Sequence, residues 1–339
     1  MTPLRAGLLE AIARRVADYR QGEIPPITPD HVDRWVGQFA PADQITILEE
    51  MRALLQAYYV SREDARFFLR GFLSHPDVFG RDVGGGLRAT RFLQIQRKGQ
   101  SQADLLVLVD ELLQAEHGLR LADCGAQPKA YVYLDDCLFS GETALQDLKD
   151  AMRTFAPRTT LHLVVIAAYW RGLDRLRREL DPLARHAQLV VKYWRAHEFY
   201  DVPDVPTRYD ALWPQPSAAN GAVQAYLKTL REWRRPRDVF RPDGVPFEDT
   251  LFSSATARDV VERAFVQAGA RLVLQSKDPN PYQRPLGYEK APSLGFGAFF
   301  VTYRNCPNNC PLVLWWGVAH RWYPLFPRKI NVATGEGGE

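Results

Sequence analysis

Asp135 and Asp136 stand side by side in the run Tyr131-Val-Tyr-Leu-Asp-Asp-Cys-Leu-Phe-Ser-Gly-Glu-Thr143. Two carboxylates at the end of an apolar stretch can accept hydrogen bonds from a diol. Cys137, Leu138 and Phe139 then lead into Ser140, Gly141, Glu142 and Thr143, after which Ala144, Leu145, Leu148, Ala151 and Met152 fall on one helical face. Exposed backbone N–H groups at a helix start, with a glycine and two hydroxyls beside them, make a cradle for an anion. A diol acceptor next to a phosphate cradle suits a sugar phosphate. The plainer alternative is a strand-turn-helix whose aspartates only cap the helix.

A second candidate cradle is Lys98, Gly99, Gln100 and Ser101, placed between an expected strand and an expected helix. Two such loops on adjacent strand ends match a ribose phosphorylated at both ends, whereas one alone would fit many ligands or none. Asn305, Asn308 and Asn309 lie in a proline-bounded turn, where side-chain amides either read a nucleobase edge or close the turn by bonding to its backbone. Arg231, Arg234, Arg235, Arg237 and Arg241, with Trp233 and Phe240 among them, could meet single-stranded nucleic acid or an acidic partner; a solvated helix end is the favoured reading.

These residues need a scaffold to hold them. Ala130 to Leu134 reads as a strand buried on both faces, and Asp135 and Asp136 follow where the chain leaves the sheet. Ligands of open α/β sheets bind at such strand ends. Phe92 to Gln96, Leu161 to Tyr169 and Leu189 to Trp194 also read as strands, and Gln102 to Ala115 and Leu173 to Leu180 as helices. That alternation argues an α/β fold with a parallel sheet and right-handed crossovers.

Residues 1–75 read as a helical extension: Leu4, Leu8, Ile12 and Val16 recur at helical spacing, Thr28-Pro29 starts a second helix with Val32, Trp35, Val36 and Phe39 as its apolar stripe, and Ser61 to Asp64 resembles a capping box before Phe67, Phe68 and Phe72. Gly84-Gly-Gly86 marks a hinge into the main domain, 76–331. Prolines interrupt 200–250, expected as an insertion or hood around a helix over 222–233. Beyond it, 257–268 reads as a helix, 299–303 and 312–316 as strands, and 332–339 as a loose tail.

The chain has 339 residues, 46% hydrophobic and 24% charged, which suits a globular protein with one sizeable core and a smaller unit. Its 43 basic and 40 acidic residues are too balanced to argue nucleic-acid binding by bulk charge. No signal-peptide pattern and no bilayer-length apolar run is visible, so a cytoplasmic protein without a membrane partner is expected. Cys306 and Cys310 would need two further ligands to hold zinc and read as free thiols; no all-protein metal site is expected.

The Asp135–Thr143 segment resembles the phosphoribosyl-diphosphate signature of type I phosphoribosyltransferases. The resemblance implies that Asp135 and Asp136 hold the ribose hydroxyls, that Cys137 to Thr143 grips the 5′-phosphate, and that Lys98 to Ser101 holds pyrophosphate. Phe139 stands where some members carry an acid. More widely, Trp35-Val-Gly-Gln-Phe39, Lys98 to Gln102, Phe252-Ser-Ser254 with Ala257-Arg-Asp259, and Gly295-Phe-Gly297 leading to Asn305-Cys-Pro-Asn-Asn-Cys-Pro311 and Trp315 resemble the phosphoribosyltransferase-like family of prokaryotic conflict systems, PRTase-CE. That resemblance implies a type I phosphoribosyltransferase-like sheet flanked by helices and a Mg²⁺-dependent pentosyltransferase using phosphoribosyl diphosphate or a nucleotide, in a setting such as phage defence. Mg²⁺ would arrive with the substrate. The N-terminal helices themselves read either as a cap that docks partner proteins or, the favoured reading, as a packing element that completes the main domain. The rival expectation is a nucleotide-binding sensor or interaction module without chemistry.

Overall fold

The structure, a computed structural model, describes residues 2–97, 99–202, 208–230, 239–242, 251–276, 280–291, 293–317 and 322–328. Two compact units divide the chain, residues 1–62 with 201–339, and residues 63–200.

The first unit opens with helices α1 (Pro3–Arg15), α2 (Pro29–Val36) and α3 (Gln44–Tyr58), followed by strand β1 (Tyr59–Val60). The sequence signals for α2 act as expected. The Thr28 hydroxyl accepts the His31 N–H at 3.2 Å, Pro29 fills the first turn, and Val32, Trp35 and Val36 are buried.

The second unit holds the sheet. Helices α4 (Arg62–Leu73), α5 (Pro76–Phe79) and α6 (Val83–Arg88) lead to β2 (Thr90–Phe92), α7 (Ser101–His117), β3 (Ala130–Leu138), α8 (Glu142–Ala151), β4 (Thr159–Tyr169), α9 (Trp170–His186) and β5 (Leu189–Phe199). The four strands lie in the order β2-β3-β4-β5, all parallel. Tyr131, Tyr133, Leu161, Leu163 and Val165 form one core with apolar residues of α8 and α9. His162 points to the other face, where its ring and that of Trp194 meet Phe72 of α4.

The first unit resumes with α10 (Gly221–Thr229) and α11 (Ala255–Leu274), then β6 (Gln283–Arg284), β7 (Gly287–Tyr288), β8 (Val301–Thr302) and α12 (Leu312–Trp315). The division runs differently from the 1–75 and 76–331 expected from the sequence. Its physical basis is that α1 to α3 share a core with the C-terminal segment: Trp35 Nε1 donates to the Val313 carbonyl at 2.8 Å, and β1 pairs in parallel with β8.

Other expectations need correction. Residues 312–316 are a helical turn and not a strand. Gly84 to Gly86 lie inside α6, whose N-cap Asp82 accepts the Gly85 N–H at 3.0 Å, so they form no hinge. Of the strand expected over 299–303, only Val301 and Thr302 pair, and of Phe67, Phe68 and Phe72 only Phe72 is buried.

Candidate functional site

The expected crevice at the acidic pair is built differently from a strand end. β3 continues past both aspartates to Leu138, paired through Cys137↔Ala167 and Leu138↔Ala168, so the pair lies within the strand. Asp136 itself is skipped in the ladder. Alternation changes phase there: Tyr131 and Tyr133 face the α8–α9 core, and so does Leu138, as Leu163, Val165 and Ala168 do on β4.

Asp135 is buried, 9% exposed, and Asp136 is half-buried. The Ser101 hydroxyl donates to Asp135 Oδ1 at 2.5 Å, and the Asp136 N–H donates to the same oxygen at 2.9 Å. The Cys137 N–H donates to Asp136 Oδ1 at 2.8 Å. Burial, then the neighbouring Asp136 carboxylate, pushes the Asp135 carboxyl up to about 8, against the downward pull of the Ser101 hydroxyl and the Asp136 amide. Tyr133, one pleat back on the same face, has its hydroxyl pKa raised by burial and by Asp135 and Asp147. The sequence-expected pair is thus a protonatable, buried carboxyl beside a more exposed one.

The segment before α7 is tied to this pair. Gln102 Oε1 accepts the backbone N–H of Ile95 and, at 3.0 Å, that of Gln96, while Gln102 Nε2 donates to the Leu134 carbonyl at 3.3 Å. Gln96 returns the support, accepting the Gln102 N–H at 3.1 Å and donating to Ser101 Oγ at 2.9 Å. Gly99 adopts φ +96°, and Lys98 lies outside the described residues. Of the expected pyrophosphate loop, Ser101 is therefore brought to Asp135. Gln96 and Gln102 entered the sequence reading only as the end of a strand and the start of a helix, Gln102 also within a family segment; two glutamines bracketing Lys-Gly-Gln-Ser were the available signal.

The phosphate-loop candidates turn sharply into α8. Gly141 sits at its N-cap with φ +71°, which favours glycine, and the Glu142 N–H meets Ser140 Oγ at 3.4 Å. The first-turn amides of α8 have no carbonyl partner within their own helix. Ser140 and Thr143 are exposed, Leu138 and Cys137 buried. The Phe139 ring stacks on Tyr169, with centroids 5.4 Å apart. Underneath lies Gly172 of α9, where a Cβ would fall 1.8 Å from the Phe139 carbonyl oxygen, and a Cβ at Gly141 would stand 2.6 Å from the Gly172 carbonyl oxygen. Glu142 leans onto α9 as well, its carboxylate 3.0 Å from Arg175.

Asn305, Asn308 and Asn309 belong to the other compact unit, where they make the hydrogen bonds of a turn. Asn309 Nδ2 donates to the Tyr288 carbonyl at 3.0 Å, the Asn308 carbonyl accepts the Tyr288 N–H at 2.7 Å, and Asn305 Oδ1 accepts the Cys306 N–H at 3.1 Å. Of the arginine cluster, 231, 234, 235 and 237 lie outside the described residues. Arg241 is buried, paired with Asp259 at 2.7 Å and Glu262 at 3.4 Å, so it is no part of a nucleic-acid surface. Cys306 and Cys310 are buried and form no disulfide. Among the described residues no group of three or more His, Cys, Asp or Glu could hold a metal ion, and no helix is long and apolar enough to cross a membrane.

A parallel sheet whose inner strand carries an acidic pair and passes through a glycine turn into a helix is the arrangement of a phosphoribosyltransferase-like domain. The PRTase-CE family model matches residues 32–328, and the chain belongs to that family. No curated protein and no solved structure matches it.

Proposed function

We propose that this protein binds phosphoribosyl diphosphate, or the ribosyl phosphate of a nucleotide, and transfers or hydrolyses the bond at the ribose anomeric carbon. The observation that carries this reading is the Asp135–Asp136 pair held against Ser101 on one side and followed by the Gly141 turn on the other. The pair would accept the ribose hydroxyls, and the first-turn amides of α8 the 5′-phosphate.

In the reaction the anomeric C–O bond of the diphosphate, or the anomeric C–N bond of a nucleotide, breaks with its electron pair leaving on the diphosphate or the base, while an acceptor or water adds to the carbon and gives up its proton to solvent or to the departing group. The protein's part is to orient the pentose and shield it from stray water. Mg²⁺ would enter on the diphosphate, held by ligand oxygens and water, and would neutralise the leaving charge; a half-buried Asp136 suits contact through such a water. Membership in PRTase-CE supports a role in prokaryotic conflict such as phage defence, with α1 to α3 as the surface offered to a partner protein.

Titration calorimetry with phosphoribosyl diphosphate and Mg²⁺ tests the reading. Binding is expected for the native chain and loss of at least tenfold in affinity for Asp135→Asn/Asp136→Asn. Silence with the native chain, or equal heats from the variant, would sink it. A second reading, a sensor that binds without turnover, is favoured by Phe139, whose ring is committed to stacking on Tyr169 where some relatives carry an acid. Pyrophosphate release over hours separates the two.

A further inference from the structure

We propose that Arg175 is a positioning residue for the phosphate loop: by drawing Glu142 onto α9 it keeps that carboxylate off the amides that open α8, leaving them to a phosphate monoester. The inference rests on the reading above. Glu142 is the first residue of α8, and the positive end of a helix attracts any carboxylate within its first turn. Folded back, Glu142 would be the site's own competing anion.

In the structure it is held elsewhere. Arg175 Nη1 lies 3.0 Å from Glu142 Oε2, and Arg175 Nε donates to Glu179 Oε1 at 3.1 Å. Glu179 in turn meets Lys149 of α8 at 3.3 Å. Opposite charges therefore alternate along the α8–α9 seam. The same stretch of α9 supplies Gly172, on which the loop rests, so Arg175 stands one turn beyond the loop's floor. The Arg175 and Glu142 side chains are 44% and 34% exposed, a setting in which an ion pair contributes little to folding. A nearby dianion feels the charges more than the fold does, because binding adds two negative charges beside Glu142.

The test is calorimetry with ribose 5-phosphate, whose one anionic group is the phosphate proposed for this loop, at low ionic strength. Arg175→Ala should weaken binding about tenfold, Glu142→Gln should hold or tighten it, and the double variant should return to within about threefold of the native affinity. Arg175→Lys should restore most of the loss. A pair that merely braces two helices would instead lose affinity in both single variants. Unchanged binding in Arg175→Ala, weaker binding in Glu142→Gln, or a double variant as poor as Arg175→Ala overturns the inference alone. A native chain that ignores ribose 5-phosphate overturns the phosphate-loop reading itself, and this inference with it.

Discussion

Asp135 shows at the scale of one residue how burial and function pull against each other. Its carboxyl titrates near 8 in the fold, above the usual carboxylate range, chiefly because it is buried and next because Asp136 adds a like charge. A carboxyl raised by folding binds more protons in the native state than in the unfolded chain, so its contribution to stability falls as pH climbs from about 4 towards 8. Asparagine can still accept the Ser101 hydroxyl without ionising. Asp135→Asn should therefore be more stable than the native chain by about 1–3 kcal/mol at pH 8 and equal to it below about pH 4. Urea melts at the two pH values check this; a variant destabilised equally at both would show that packing, and not ionisation, governs the site. On the proposed reading the bound state would reverse the preference, because an ionised carboxylate accepts two hydroxyl donors. Binding near pH 7 should then release up to about one proton per ligand. Calorimetry in buffers of different ionisation enthalpy reads it directly, and identical heats in all of them would rule it out.

Among the elements, the β3-turn-α8 unit depends on α9 beneath it. Gly172→Ala would set a methyl 1.8 Å from the Phe139 carbonyl, so either the loop or the first turn of α9 must move. Overpacking of this kind costs about 1–3 kcal/mol, and ribose 5-phosphate affinity should fall with it. Denaturant melts and calorimetry on that variant measure both; a native-like result in each would mean that the loop is loose enough to ignore its floor. The sequence could not reveal Gly172, since a glycine near the start of a helix explains itself without a neighbour. Much else was legible there. The strand-turn-helix around Asp135 and the Thr28-Pro29 start of α2 follow from local chemistry. What failed depended on partners distant in sequence. Aspartates are uncommon in strands, so β3 seemed to end at Leu134, yet pairing with Ala167 and Ala168 of β4 carries it to Leu138. Leu312 to Trp316 is a short apolar run, a pattern that does not separate strand from buried helix. Three glycines read as a hinge, but they lie within α6, and Gly86 is needed for packing: a Cβ there would stand 2.0 Å from the Phe79 carbonyl oxygen. The two glutamines that tie residues 95 and 96 to the start of α7 look like any polar residues until Leu134 is placed beside Gln102.

For the molecule as a whole, the division into two compact units makes the sheet and the remainder separately testable. The unit without the sheet is anchored by charges sealed in its interior. Arg258 and Glu262 of α11 are at most 1% exposed, and Glu262 Oε1 accepts from Arg258 Nη1 and from the Trp213 N–H, both at 2.8 Å. Arg258 also donates to the Tyr209 and Ala211 carbonyls at 2.9 Å and 3.0 Å, and Arg241 adds a third charge at 3.4 Å. Burial raises the Glu262 pKa while the two arginines, Arg258 foremost, hold it down. Replacing such a group by a hydrophobic cluster can be neutral, but deleting one member leaves two arginines buried without their shared anion. Glu262→Ala should therefore destabilise this unit by about 3–5 kcal/mol. The loss should appear first where the network ties backbone, at residues 209–213 and along α11, as faster amide exchange. Amides of β3 and β4, whose core is built from α8 and α9, should keep their protection because units of this kind open separately. If β3 and β4 exchange as fast as α11 in that variant, the chain unfolds as one body, and a ligand bound at Asp135 would stabilise all of it at once.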